Sequence, residues 1–491
     1  MKKIEPMYST IIIGTGFGGL SAAINLKKLH INDFVMLERR SFCGGTWRQN
    51  RYPGAAVDVP SPLYSFENEP YPWSRLYAKQ AELEAYTLHL IDKHELNEKI
   101  LLNSEVLESR WVNDHWRLTL SNGNVLTART VINATGPLST PVVPNFQGKD
   151  TFSGLSFHCN DWPKDLSIKG KKVAIVGSGA SAIQIIPAIV EEVDELHVFQ
   201  RTPHWILPRI DFSFAKWVKP LLTNKWLYGA LKWSIYVHHE LRVLAFKYSK
   251  ALLKVLAQIP AIRHLKKQIK DDTLRNTLTP NFMIGCKRIL MSNTYYPALQ
   301  KHKVTLHNKD NGIQAINEHG ILTNQGEQVD VDLIVYATGF DAADSMISYS
   351  VIGRNNIALK DQWRDYPRAY LGTSIPNFPN FFVVTGPNTG IGHTSAIFVI
   401  ESQIRYINIC LEKIKNNPHL SIEPTEYAED EYTKMVHSEM TKTVWHYGGC
   451  QSWYQNASGK VIAMFPGFSF TFRKLCKRFK SAHHLLKEHN L

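Results

Sequence analysis

Apolar runs that end at glycine set the plan of this chain. Residues 8–13 (YSTIII) are β-branched and apolar and stop at Gly14, the pattern of a buried strand. GTGFGGLSAAINLKKLH then carries apolar residues at helical spacing, and DFVMLE returns to a strand, which predicts a strand–helix–strand unit. The same grammar recurs in KKVAIVGSGASAIQIIPAIVEEVDELHVFQR. Two units so far apart predict an α/β protein with two Rossmann-like domains, not a repeat within one sheet.

Between them, residues 100–136 alternate apolar and polar positions around the turn SNGN, which predicts antiparallel hairpins. A similar stretch precedes a second copy of the triplet Ala-Thr-Gly: Ala134-Thr135-Gly136 and Ala337-Thr338-Gly339 each follow an apolar strand, and a domain crossing is expected near both. Residues 210–275, rich in Trp, Leu and Lys, predict two helices inserted in the second domain. From about residue 368 the pattern becomes α/β again. The expected division is a discontinuous first domain, 1–145 with 365–491, around a second domain, 146–364, whose helical insert spans about 210–280.

At 491 residues the chain exceeds what one core can fill, and 44% hydrophobic with 20% charged residues is globular composition. The six cysteines show no CxxC and no Cys/His metal spacing, so neither a disulfide framework nor a metal site is expected, and a reducing cytoplasm fits. MKKIEPMYST is charged, but the apolar run after it is too short for a signal peptide, and no stretch reaches the length of a membrane span. The net charge is +13, with Lys and Arg gathered in 216–288 and at Arg473–Lys480. A solvated face, a dock for a phosphate-bearing cofactor and an anionic membrane surface all account for it; nucleic acid is the weakest reading, because no binding motif accompanies the charge.

The glycines sharpen the picture. Gly14-x-Gly16-x-x-Gly19 stands between strand and helix, where Gly14 permits the turn, Gly16 admits a pyrophosphate and Gly19 packs helix on strand. Glu38, 24 residues after Gly14, offers a carboxylate to ribose hydroxyls, as FAD requires. Gly177-x-Gly179-x-x-Ala182 is placed alike, but 24 residues after Gly177 stands Arg201, followed by Thr202. An acid there would repel a 2′-phosphate and a guanidinium would pair with it, so the second site is expected to take NADPH. FAD with NADPH implies hydride transfer to flavin. Disulfide reductases share this layout but need a redox cysteine pair, and the relevant region holds only Cys43.

Residues 44–58, GGTWRQNRYPGAAVD, and residues 152–163, FSGLSFHCNDWP, resemble the two signature strings of type I Baeyer–Villiger monooxygenases, class B flavoproteins close to the flavin-containing monooxygenases. Phe152, Gly154, His158, Trp162 and Pro163 match every defined position of the second string. The resemblance implies FAD contacts from Phe17, Gly45, Thr46, Trp47, Asp58, Tyr64 and Val106. It implies NADPH contacts from Ser178, Ala180, Ser181, Arg201, Thr202, Lys287 and Trp453. Arg288, in IGCKRIL, matches the family's active-site arginine, with Asp58 orienting it. The implied reaction uses a flavin C4a-peroxide to insert one oxygen of O2 beside a ketone carbonyl, giving an ester or lactone. Arginine suits that task because it stays cationic at any working pH. The C-terminal GKVIAMFPGFSFTFRKL departs from cyclohexanone-type members, which points to linear or aryl hydrophobic ketones with side activity on sulfides and thioamides.

Rival readings accompany these. An S- or N-oxygenating flavin monooxygenase would use the same cofactors, and a membrane-surface protein would explain the Trp/Lys-rich insert, which is otherwise expected to cap the substrate channel. His158 is read as a hinge hydrogen-bonding residue. His393 and Asn388, in GPNTGIGHTS, are read as lying either near the flavin or at a helix cap.

Overall fold

The computed structural model describes residues 7–341 and 346–488. The strand Met7–Ile13 lies parallel between Phe34–Leu37 and Val125–Asn133, and the helix Phe17–Lys28 buries Leu20, Ala23 and Leu26. A strand enclosed on both faces has no polar alternation to display, so Ile11, Ile12 and Ile13 run consecutively. Val106–Val112, His115–Leu120 and Val125–Asn133 form the antiparallel hairpins expected from alternation. Eight strands complete this sheet, two of them from far along the chain: Ser350–Ile352 on Val106–Val112, and Phe381–Val383 on Val125–Asn133. The chain is therefore back on the first sheet before residue 365, the boundary expected from the return of the α/β pattern.

The second sheet is entirely parallel, ordered Val304–His307, Glu195–Phe199, Lys172–Val176, Leu333–Tyr336 and Leu155–His158. Its core is separate, centred on Val173, Ile175, Ile186 and Val198. A small antiparallel sheet, Ile313–Ile316, Gly320–Thr323 and Gln328–Asp330, leads into the strand before the second Ala-Thr-Gly.

The insert corrects two expectations. It is not a pair of helices: the long helix Lys225–Glu240 is followed by alternating α and π turns from Leu244 to Gln258, then by the helix Ile259–Gln268. Nor does it belong simply to the second domain. Leu222, Tyr228, Phe246 and Leu253 share a core with Ile12 and Leu20, whereas Leu265, Ile269, Leu274 and Leu278 pack with the second core. Tyr228 shows why: Trp73 Nε1 donates to its hydroxyl at 2.9 Å, and Ser65 Oγ lies 2.6 Å from it. Burial pushes this phenol up to about 12. Lys232 Nζ donates to the Ser65 carbonyl, so the helix is pinned to the first domain by polar as well as apolar contacts.

The domains also meet at Gly54, where φ is +81° and an added Cβ would lie 2.3 Å from the Gln184 carbonyl oxygen. Gly123 has the same φ with open surroundings. Alanine at either position costs about 1 kcal/mol for its left-handed backbone. Gly54→Ala should lose a further 1–3 kcal/mol, roughly, because backbone must move. Urea unfolding of the two variants measures the difference, and equal losses would show that the contact yields freely.

Candidate active site

Both glycine loops solve the same steric problem. Gly14 (φ +104°) sits so close to the Ala134 carbonyl that a Cβ would lie 2.5 Å from the oxygen, and Gly177 (φ +125°) stands 2.3 Å from the Ala337 carbonyl by the same measure. The two Ala-Thr-Gly triplets thus close the two loops, each Ala held by the strand beside it: Ala134 N donates to Ile13 O, and Ala337 N to Val176 O, both at 2.8 Å. The middle glycines differ from the first. A Cβ on Gly16 would make only ordinary contact with Gly45, and one on Gly179 would meet nothing. The protein itself does not demand glycine at these positions, so the backbone there is left open to a close approach. Gly19 packs against Gly14 O, and Ala182 is fully buried, as the helix–strand contacts require.

Glu38 is buried beside the first loop and accepts from Thr15 Oγ1 at 2.6 Å and from Arg40 N at 3.1 Å. Ser104 N donates to the Glu38 carbonyl, which brings Val106 into the same corner as Ile13 and Leu37. Arg201, its counterpart, is exposed, and Ser178 Oγ donates to the carbonyl of Thr202 at 2.8 Å. Lys287 stands near Arg201: burial and that guanidinium lower its ammonium from the usual lysine value. His204, which the sequence did not single out, is lowered to about 4 by burial and by Lys287. This end of the second loop is a concentration of positive charge suited to a multiply charged anion.

The segment 44–58 spans the two loops. At one end, a Cβ on Gly45 (φ +59°) would lie 2.6 Å from Gly16 Cα. At the other, Tyr52 OH donates to Gln184 Oε1 at 3.1 Å, and Gln184 Nε2 donates to Ala56 O at 3.0 Å. Gln49 Nε2 also reaches Asn160 O and Asp161 Oδ1, which ties this string to 152–163. Thr46 opens the short helix Thr46–Gln49; Trp47 Nε1 donates to Tyr64 OH at 3.2 Å, and the Phe17 ring lies 5.7 Å from Tyr64. Ala180 and Asp58 line one cleft with Gln184, Arg209 and Leu290, and Ser181 hydrogen-bonds Tyr52.

Arg288 meets Asp58 in a bidentate pair, Nε–Oδ2 2.6 Å and Nη2–Oδ1 2.7 Å. Asp58 raises the guanidinium well above its ordinary value, outweighing burial, with Tyr454 and Tyr64 adding to the effect. Burial pushes both tyrosines up to about 12, so they stay neutral donors around a fixed cation. Tyr454 is a neighbour the sequence analysis missed; it lies next to Trp453, which is 40% exposed with its ring 4.5 Å from that of Tyr454. Two residues before Arg288, Cys286 forms a disulfide with Cys450 across 164 residues. The cysteine spacing led to the expectation of no disulfide framework; the fold nevertheless brings this one pair together, and the bridge ties the Arg288 segment to the Trp453 segment. The remaining four cysteines are free.

His158 Nδ1 accepts from Asn160 N at 3.2 Å, and its ring lies 5.3 Å from Phe340, just after the second triplet. Ser395, not His393 or Asn388, caps the helix Ala396–Asn416. Asn388 instead donates to the Val461 and Met464 carbonyls, and buried His393 faces Glu240 at 3.3 Å. Burial alone would raise the Glu240 carboxyl, but hydrogen bonds from His393 and Ser469 outweigh it and hold the group below its usual range. No group of three or more His, Cys, Asp or Glu able to hold a metal occurs among the described residues.

Two glycine loops on separate sheets, each following a strand with parallel neighbours and joined by a segment that touches both, define an oxidoreductase with two dinucleotide sites. Consistently, residues 11–258 match the family described as Pyridine nucleotide-disulphide oxidoreductase. The chain is 42% identical to a Baeyer-Villiger monooxygenase of Pseudomonas aeruginosa, over 96% of this chain and 90% of that protein. It is 41% identical to another of Streptomyces coelicolor, over 96% and 91%. Among solved structures, OTEMO in complex with FAD and NADP gives a TM-score of 0.89 at 26% identity, covering 98% of this chain and 100% of that one. Cyclohexanone monooxygenase from Rhodococcus sp. Phi1 bound to NADP+ gives 0.87 at 27%, covering 99% and 100%. The chain belongs to the Baeyer–Villiger monooxygenases.

The electrostatics of Arg288 predict a pH signature. A cation whose value is raised keeps its charge everywhere below that value, so Arg288 contributes no inflection between about pH 6 and pH 10. Arg288→Lys substitutes a group that titrates near pH 10.4, roughly, and loses the two-point contact. Turnover should fall about 10–100-fold and acquire a new alkaline limb. Superimposable alkaline limbs for the two proteins would remove the need for charge at this position.

Proposed function

We propose that this chain uses FAD, NADPH and O2 to insert one oxygen atom beside the carbonyl of a linear or aryl hydrophobic ketone, with side activity on sulfides and thioamides. The observation that carries the reading is the Arg288–Asp58 pair, set where the segment from the first glycine loop meets the second domain. In this reading Gly14, Gly16, Gly19 and Glu38 hold the adenosine half of FAD, and Phe17, Gly45, Thr46, Trp47, Asp58, Tyr64 and Val106 complete its site. Gly177, Ser178, Gly179, Ala180 and Ser181 cradle the NADPH pyrophosphate, while Arg201, Thr202 and Lys287 hold its 2′-phosphate. Trp453 covers the nicotinamide end. The fit rests on Gly16 and Gly179, where the protein leaves room for a backbone-bound phosphate, and on the mutual repulsion of Lys287 and Arg201, which a bound dianion relieves. The two residue groups would place FAD on the first domain and NADPH on the second.

When bound, flavin and NADPH supply the redox chemistry and the activation of oxygen. The chain's own contribution is electrostatic. Arg288 stabilises negative charge as it develops on the oxygen that attacks the ketone, and Asp58 fixes the direction of the guanidinium. Tyr64 and Tyr454, held protonated, offer hydrogen bonds without adding a competing anion. A soft sulfur needs no such anionic attack, so sulfoxidation depends less on Arg288.

Arg288→Ala should retain flavin reduction by NADPH and sulfoxidation, while ester formation falls about 100-fold or more. Product analysis on a mixed panel of ketones and sulfides measures this, and unchanged ester yield would end the assignment of Arg288. Separately, Arg201→Gln should raise the KM for NADPH about 10–100-fold and leave that for NADH nearly unchanged. Initial rates with each coenzyme decide it, and equal effects on both would place the 2′-phosphate elsewhere.

A further inference from the structure

The insert presents an apolar face that none of the described residues covers. Along the helix Lys225–Glu240 the inward side carries Tyr228, His239 and Glu240, all buried. The outward side carries Trp226, Ala230, Trp233 and Val237, and Leu241 follows at the same spacing, which lines them up as one stripe. Trp226 is 88% exposed and Trp233 67%. A second group of exposed rings follows the helix: the Tyr248 ring lies 6.4 Å from Phe468, which stacks on half-exposed Phe470 at 4.8 Å. Scattered exposed apolar side chains are ordinary, but aligned tryptophans on a helix whose other face is already packed are not.

Charge indicates what covers the stripe. From Phe212 to Lys270 the only acidic residue is Glu240, and it is turned inward against Ser469 and His393. Lys216, Lys225, Lys250 and Lys254, in the same stretch, are exposed. A second copy of this chain meeting the face symmetrically would bring cations against cations. An anionic bilayer supplies both complements, an apolar boundary for the indole rings and negative headgroups for the ammonium groups. No helix among the described residues is long and apolar enough to cross a membrane, so the contact is a surface one.

We propose that the outward face of the insert docks on anionic phospholipid bilayers, with Trp226 and Trp233 entering the headgroup region. Because Tyr228 and Lys232 pin the same helix to the first domain, the whole protein would be held in one orientation. The inference stands apart from the oxygenation reading, which it neither needs nor supports. The test is co-sedimentation of the yellow holoprotein with vesicles of phosphatidylcholine alone or mixed with phosphatidylglycerol, at physiological salt. Binding is expected to the mixed vesicles only, and the W226S/W233S double variant should bind about tenfold or more weakly while retaining its flavin and its NADPH oxidation in solution. No binding, equal binding to neutral vesicles, or undiminished binding of the variant overturns the proposal. So does a shift of the variant from dimer to monomer in sedimentation velocity, which would assign the face to a second copy.

Discussion

The Asp58–Arg288 pair is the interaction on which the site depends. Both side chains remain more than one-third accessible, so as a stabilising contact the pair contributes about 1 kcal/mol or less. Its importance is positional. Asp58 ends a segment that begins against Gly16 and passes over Gln184; Arg288 follows a disulfide that fixes its own segment to that of Trp453. Two rigid frames therefore converge on one hydrogen-bonded fork, and a guanidinium held by two contacts keeps both its place and its charge.

The two domains reach this arrangement through one repeated device. In each, a first glycine with positive φ lies under the carbonyl of an Ala-Thr-Gly alanine, so the strand that supplies the triplet also closes the loop. What differs is the end of the following strand. Glu38 is buried and bonded to its own loop through Thr15, whereas Arg201 is exposed beside Lys287. The same loop device thus carries opposite electrostatics in the two domains, the difference on which the proposed assignment of the two dinucleotides rests.

What could be read from sequence was what depends on short spacing. The consecutive Ile11–Ile13, the glycine clusters and the alternation in residues 100–136 each encode a local structure, and all three are found. The insert was misread because its period reveals a helix but not which core receives it; Tyr228 chooses the first domain through Trp73 and Ser65, more than 150 residues away. The return at Ser350–Ile352 was missed because three residues give no period. Cys286 and Cys450 are paired only by the fold, as are Glu240 and His393. Arg288 itself would have passed as a surface charge without the family resemblance, since nothing near it in sequence announces Asp58.

Oxygen-isotope labelling tests the central claim most directly. With NADPH, a ketone substrate and 18O2, the ester produced should contain one labelled atom, at the inserted ring or chain position, with the carbonyl oxygen unlabelled. Label absent from the ester, or present at the carbonyl, would contradict oxygen insertion as the work of this site.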